Sequence, residues 1–162
     1  MLRSQLGREP RGVLGVAARC CCGNPTVVLT APRLDDGTPF PTVYYLTHPG
    51  AVAAVSSLEA GGAMRAMNER LAADPVLAEA HRGAHQAYLA DRSALGEVPE
   101  IAGITAGGMP DRVKCLHVLV AHALARGKGV NILGDEALDS IAESWRPDRC
   151  TCADFAAGPP GP

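Results

Sequence analysis

Cys20, Cys21 and Cys22 crowd one short turn near the start of the chain. Cys115 stands far downstream in Arg112-Val113-Lys114-Cys115-Leu116-His117, and a Cys-x-Cys pair, Cys150 and Cys152, follows near the end. Thiolates together with imidazoles are the soft and borderline donors that zinc and iron prefer. A tetrahedral zinc ion takes four such donors at roughly 2.0 to 2.3 Å. Cys20, Cys22, His48 and Cys115 make one such set, with Cys150 and Cys152 as a reserve source and His117 and His122 as reserve ligands. An iron-sulfur cluster is the rival to zinc, because cysteine-rich sites with one histidine substitution can hold one. The competing bland reading is that Cys115, beside Leu116, Leu119 and Val120, simply fills the core, as free cysteines often do.

Helical geometry narrows the role of the Cys115 segment. Pro110 or Asp111 is expected to open a helix that stops around Gly127. On it, at 100° per residue, His122 shares the face of Cys115 but lies about 10 Å along the axis, while His117 points roughly 200° away. Cys115 is therefore the ligand expected from this helix, and the others must come from the cysteine turn and from His48.

Two other chemistries compete. Cys115 could act as a nucleophile with His117 or His122 as base, and Arg19, Arg112 and Lys114 would then gather an anionic small molecule. The outward turn of His117 speaks against that arrangement. Gly107 and Gly108, placed ahead of the expected helix with Arg112 and Lys114 after them, also resemble an anion cradle at a helix N-terminus. The spacing matches no phosphate-binding fingerprint, so capping plus solvated basic residues is the simpler explanation. His81 and His85 share a face at i, i+4, but Glu79, Arg82 and Gln86 around them read as a polar helix face.

The elements that must position these residues begin with three strands, expected over 12–19, 26–31 and 42–47. Asp35-Asp36-Gly37-Thr38 signals a hairpin between the second and third. A turn on Asp36 and Gly37 pairs Leu29 with Tyr44 and Val27 with Leu46. Thr26, Thr30 and Thr47 would then face mainly solvent, and His48 the core. Pro32, Pro39 and Pro41 should open the hairpin near its tip. Helical spacing follows from Val52 to Leu71 around a break at Gly61-Gly62. Asp74-Pro75 caps another helix running through Tyr88 or Leu89, and a short helix is expected from Asp135 to Trp145. This is an α+β class: a small N-terminal antiparallel sheet, a hairpin plus one strand, packed against several α-helices. A single globular domain is expected over 6–145, followed by a Cys-x-Cys segment and a disordered tail over 146–162.

Composition limits the function classes. With 162 residues and 47% hydrophobic content, the chain can bury one real core. Fifteen basic residues against 17 acidic ones give a net charge of -2, so no global field draws nucleic acid or an anionic membrane. Arg3, Arg8 and Glu9 interrupt the first ten residues, which lack the apolar run of a secretion signal. A cytoplasmic location is expected, where six cysteines serve as thiols or metal ligands rather than disulfides. The sequence identifies no partner, another protein being the candidate, and a metal-free structural or interaction module stands as a third reading beside the metal site and the enzyme.

Several motifs occur together in order: Arg19-Cys20 with Gly23-x-Pro25, Pro41-Thr42-x-Tyr44-Tyr45-Leu46-Thr47, Arg112 to His117, and Asn131-x-x-Gly134. In them the chain resembles the bacterial domain of unknown function 501 family over roughly residues 6–145. The resemblance implies no activity. It does imply that Cys20, Cys115 and His117 occupy motif positions, and that position 48 is one where relatives often carry cysteine. A metal site accepts that exchange, since both side chains supply a ligand atom.

Overall fold

The computed structural model describes residues 1–152. A short helix α1 (Leu2–Leu6) precedes strands β1 (Val13–Arg19), β2 (Pro25–Thr30) and β3 (Tyr44–Leu46). They form an antiparallel sheet in the order β1-β2-β3. Gly37, at φ 83°, takes the left-handed conformation that the hairpin turn requires. Leu29 pairs with Tyr44 and Val27 with Leu46, the register expected from that turn. Three prolines leave β3 only three residues long, with an isolated bridge between Arg33 and Pro39 beyond it.

The expected solvent face of the hairpin is not solvated. Thr26, Thr30 and Thr47 are buried beside Val28. Leu6 and Pro10 from the N-terminal stretch, with Leu34 and Phe40 from the hairpin loop, line a small cavity against Val28 and Thr30 on that side. Both faces of β2 are therefore covered, α5 packing on the other. Thr30 satisfies its hydroxyl by donating to the carbonyls of Thr42 (2.6 Å) and Val43 (3.0 Å).

Helices α2 (Pro49–Ala60) and α3 (Ala63–Ala73) meet at the Gly61-Gly62 break. Asp74 caps α4 (Pro75–Leu95) by accepting from the amides of Val76 and Leu77. This helix runs past Tyr88 to Leu95, and Arg92 is buried in its last turns. Its guanidinium donates to the carbonyls of Ile101 (2.6 Å), Ile104 and Pro41 and so ties down the following loop. His81 is also buried, not on a polar face, with Nε2 3.3 Å from the Arg112 carbonyl.

The next helix, α5 (Leu116–Arg126), starts later than Pro110. Gly107 and Gly108 both have positive φ, and Lys114 N–H donates back to the Gly107 carbonyl, so the segment folds as turns instead of a first helical turn. Cys115 is the extended N-cap residue of α5. The last helix, α6 (Ile132–Ser140), is capped by Asn131, whose Oδ1 accepts from Gly134 N–H at 2.9 Å. A Cβ on Gly134 would sit 2.3 Å from the Leu119 carbonyl, so α6 rests directly on the backbone of α5. The Asn131-x-x-Gly134 motif thus makes a cap and a close helix contact. The short helix expected from Asp135 to Trp145 starts earlier and stops at Ser140, after which the chain turns and Trp145 buries itself against His48 (ring centroids 5.3 Å). The expected disordered tail from Ala156 onward lies outside the described residues. Among those described, no helix is long and apolar enough to cross a membrane.

Candidate metal centres

The structure sorts the candidate ligands into two groups. Cys20, Cys22, Cys150 and Cys152 bring their sulfur atoms within 4.8 Å of one another, and Glu59, Cys115 and His117 do the same with Oε, Sγ and a ring nitrogen. The expected set of Cys20, Cys22, His48 and Cys115 is thus divided: the reserve pair joins the cysteine turn, and Cys115 belongs with His117.

The first group is built where β1 ends. Cys20 N–H donates to the Asn24 carbonyl (2.8 Å) and Gly23 N–H to the Cys20 carbonyl (2.8 Å), which closes the turn before β2. Arg19 braces the same turn by donating to the Gly23 carbonyl (2.8 Å), so its guanidinium is engaged there. The chain end meets the turn through backbone as well as sulfur, because Cys21 N–H donates to the Pro147 carbonyl at 2.9 Å. Cys22 Sγ and Cys152 Sγ are 3.4 Å apart. Cys20 is buried, whereas Cys22 and Cys150 are exposed.

Four thiols this close cannot all ionise unaided. A hydrogen bond from the Asn24 backbone, with others from Cys150 and Cys152, lowers Cys22 to about 7. Burial, together with the neighbouring thiols, pushes Cys152 up to about 12. Cys150 receives Cys152 N–H at 3.4 Å and still stands above its ordinary value because it shares protons with Cys22. A cation among the sulfurs is what would let all four be thiolates.

His48 is oriented by the backbone of α2. Its Nδ1 accepts from the amides of Gly50 (3.1 Å) and Ala51 (3.4 Å), an N-cap made by an imidazole ring. A neutral ring accepting at Nδ1 carries its proton on Nε2. Burial holds the pKa of His48 down, which keeps it neutral. Nε2 lies 3.1 Å from Cys152 Sγ, so in this tautomer His48 is placed to donate to that sulfur instead of offering it a lone pair.

The second group joins two helices. Glu59 reaches from the end of α2 to the start of α5, where Oε1 accepts from Leu116 N–H at 2.6 Å. The N-terminus of α5 thereby already holds a carboxylate, and Gly107 and Gly108 lie outside it, so the premise of an anion cradle formed with Arg112 and Lys114 fails. Because Cys115 is extended and not helical, the expected 200° separation does not apply. Cys115 Sγ is 3.8 Å from His117 Nδ1, which is 3.3 Å from Glu59 Oε1. His117 Nε2 is 3.2 Å from Ser56 Oγ. Burial pushes the Cys115 thiol up, but hydrogen bonds from His117 and the Val118 amide outweigh it and leave the thiol below its ordinary value. Contact with Cys115 raises His117. His122 is elsewhere, buried between Tyr44 and Tyr88 with Asn131 Nδ2 3.2 Å from its Nδ1.

The fold and these groups define a small α+β protein with a tetracysteine cluster able to hold a metal ion. The chain belongs to the family described as Protein of unknown function (DUF501), whose sequence model matches residues 16–139. That span contains Cys20, Cys22, His48, Glu59, Cys115 and His117 and ends before Cys150 and Cys152. Comparison with curated proteins and with solved structures finds no match.

Sequence reasoning underrated two features. Glu59 carried no local signal, since its role depends on meeting α5. Cys150 and Cys152 did carry one, a second Cys-x-Cys spaced like Cys20-x-Cys22.

Proposed function

We propose that this protein is a metal-binding module in which Cys20, Cys22, Cys150 and Cys152 hold one zinc ion that clamps the end of the chain onto the N-terminal sheet. The observation that carries this reading is the mutual approach of four sulfurs within 4.8 Å. Zinc–thiolate bonds of about 2.3 Å set tetrahedral sulfurs roughly 3.8 Å apart. The cluster needs only small adjustments to reach that spacing, with Cys22 and Cys152 opening slightly from 3.4 Å and no pair closing from beyond 4.8 Å. An iron-sulfur cluster must fit several irons and bridging sulfides between its cysteines, a wider cage than this one, so the spacing favours a mononuclear ion.

Four protein ligands leave no open coordination position, which is the arrangement of a structural zinc site. His48 supports it by donating Nε2–H to Cys152, spreading the negative charge of the tetrathiolate. The consequence is mechanical. The 145–152 segment, with Trp145 against His48, is fastened across the N-terminus of α2.

Metal analysis of protein purified without oxygen, compared with a Cys22→Ser/Cys150→Ser variant, tests the proposal. The variant should lose one equivalent of zinc. Retention of all metal by the variant, or wild-type protein carrying disulfides among these four cysteines and no metal, would overturn it.

A further inference from the structure

The Glu59, Cys115 and His117 group lies apart from the four-cysteine centre and resembles, at first sight, a nucleophile with its base. A proton relay needs the thiol on one ring nitrogen and the carboxylate on the other, so that a proton received at one side is balanced at the other. Here Cys115 Sγ and Glu59 Oε1 both approach Nδ1, at 3.8 and 3.3 Å. The opposite nitrogen, Nε2, meets Ser56 Oγ at 3.2 Å. Three donor atoms therefore converge on one point instead of lining up in a chain.

We propose that Glu59, Cys115 and His117 form a second divalent-metal site with an open coordination position, where a small molecule with an apolar body and one oxygen-donor head group binds. Convergence of Sγ, Nδ1 and Oε within 4.8 Å provides the three protein ligands that open metal sites use. The surroundings of each ligand are those a metal ligand needs. With Nδ1 on the metal, His117 donates Nε2–H to Ser56 Oγ, which fixes the ring. Leu116 N–H holds the Glu59 carboxylate at 2.6 Å. Charge agrees as well: a thiolate, a carboxylate and a neutral imidazole carry two negative charges in a half-buried place, and a divalent cation cancels both.

The open side is defined by a groove of about 630 Å³ on whose wall Cys115 and His117 lie. Tyr44, Tyr45, Leu46, Val52 and Val118 form much of the rest, and among the described residues no lysine or arginine lines it. A phosphate-rich ligand would find no countercharge beyond the metal, whereas an apolar body with one carbonyl, carboxylate or hydroxamate group would satisfy both wall and ion. The metal would act on such a ligand as a Lewis acid.

The test is titration of the metal-free protein with Co(II) under anaerobic conditions, read by visible absorption and by stoichiometry. Wild-type protein should take two equivalents, and Cys115→Ser/His117→Gln should take one. Serine is a favourable N-cap residue, so the fold of that variant should be retained and can be checked by circular dichroism. Cys22→Ser/Cys150→Ser should keep one equivalent, with the spectrum of a site carrying a single thiolate. Adding benzohydroxamate, an apolar ring with an oxygen chelator, should shift that remaining spectrum. Binding of two equivalents by Cys115→Ser/His117→Gln, or binding of none by Cys22→Ser/Cys150→Ser, would overturn the site. A spectrum indifferent to benzohydroxamate would overturn its open position.

Discussion

The two thiol groups of this protein are built in opposite ways. One joins residues far apart in sequence at the surface, where Cys22 and Cys150 are exposed and only a turn and a chain end hold them. The other sits where α2 meets the N-terminus of α5, with Glu59 and Ser56 supplied by one helix and Cys115 and His117 by the other. The first consists of sulfur alone and would enclose an ion, while the second mixes three donor types and faces a groove. Closure suits a structural ion and openness suits an exchangeable ligand. Packing differs to match: the helical site is braced by two helices, whereas the cysteine centre is held by a turn and the 147–152 segment and, on the proposed reading, by its metal.

The largest effect should come from removing metal from the cysteine centre. Trp145 is the only tryptophan and is buried beside His48, so its emission reports the clamp. Chelation, or Cys22→Ser/Cys150→Ser, should shift that emission to the red and expose the Cys21 amide, now bonded to Pro147, to hydrogen exchange. Far-UV dichroism should fall only slightly, because the clamp meets the helices at the N-terminus of α2, through Trp145 and Thr151 beside Gly50. Loss of all helical signal would remove the distinction between the two regions.

Acid should loosen the helical region next. Burial lowers His122 to about 4 in the folded protein, against about 6.5 for an unfolded histidine. Between those values the unfolded chain binds more protons. Stability is therefore complete above pH 6.5, falls as pH drops towards 4, and levels off below that, a total on the order of 3 kcal/mol. His48 and His81 are lowered too and act in the same direction. Denaturant titrations on Cys22→Ser/Cys150→Ser, which separate this slope from acid release of the metal, should show it, and His122→Gln should flatten it. An equal slope in His122→Gln would assign the effect elsewhere.

His48 links the two roles of cap and sulfur partner, and two substitutions separate them. His48→Ala should cost about 1 kcal/mol for the lost cap. His48→Asn should restore the cap yet leave metal affinity at the cysteine centre lowered roughly tenfold, since the hydrogen bond to Cys152 is gone. Competition with a chromophoric chelator measures this, and full affinity in His48→Asn would separate His48 from the centre. The smallest effect belongs to Cys115→Ser, which should change thermal stability by less than about 0.5 kcal/mol because serine caps α5 at least as well. A large loss would mean that the thiol is a packing element.

Much of this architecture was legible locally. The Asp36-Gly37 turn dictated the pairing of Leu29 with Tyr44, and Asp74-Pro75 dictated the start of α4, because each signal acts within a few residues. What was not legible depended on distant chain. Thr26, Thr30 and Thr47 looked like a solvated face until residues of the N-terminal stretch and the hairpin loop covered them. Pro110 looked like the start of a helix, yet α5 begins at Leu116, where Glu59 from α2 satisfies the first amide. That shift of a few residues took Cys115 out of the helix and reversed the argument about His117. Cys150 and Cys152 were recognisable as ligands, but no local rule could bring them to Cys20 and Cys22.

X-ray absorption at the zinc edge of the Cys115→Ser/His117→Gln protein tests the central claim most directly, because only the cysteine centre remains to bind metal. The expected result is a single shell of four sulfurs at about 2.3 Å with no second metal nearby. A shell containing nitrogen or oxygen, or a sample with no zinc edge that instead carries iron, would contradict the closed four-cysteine zinc clamp.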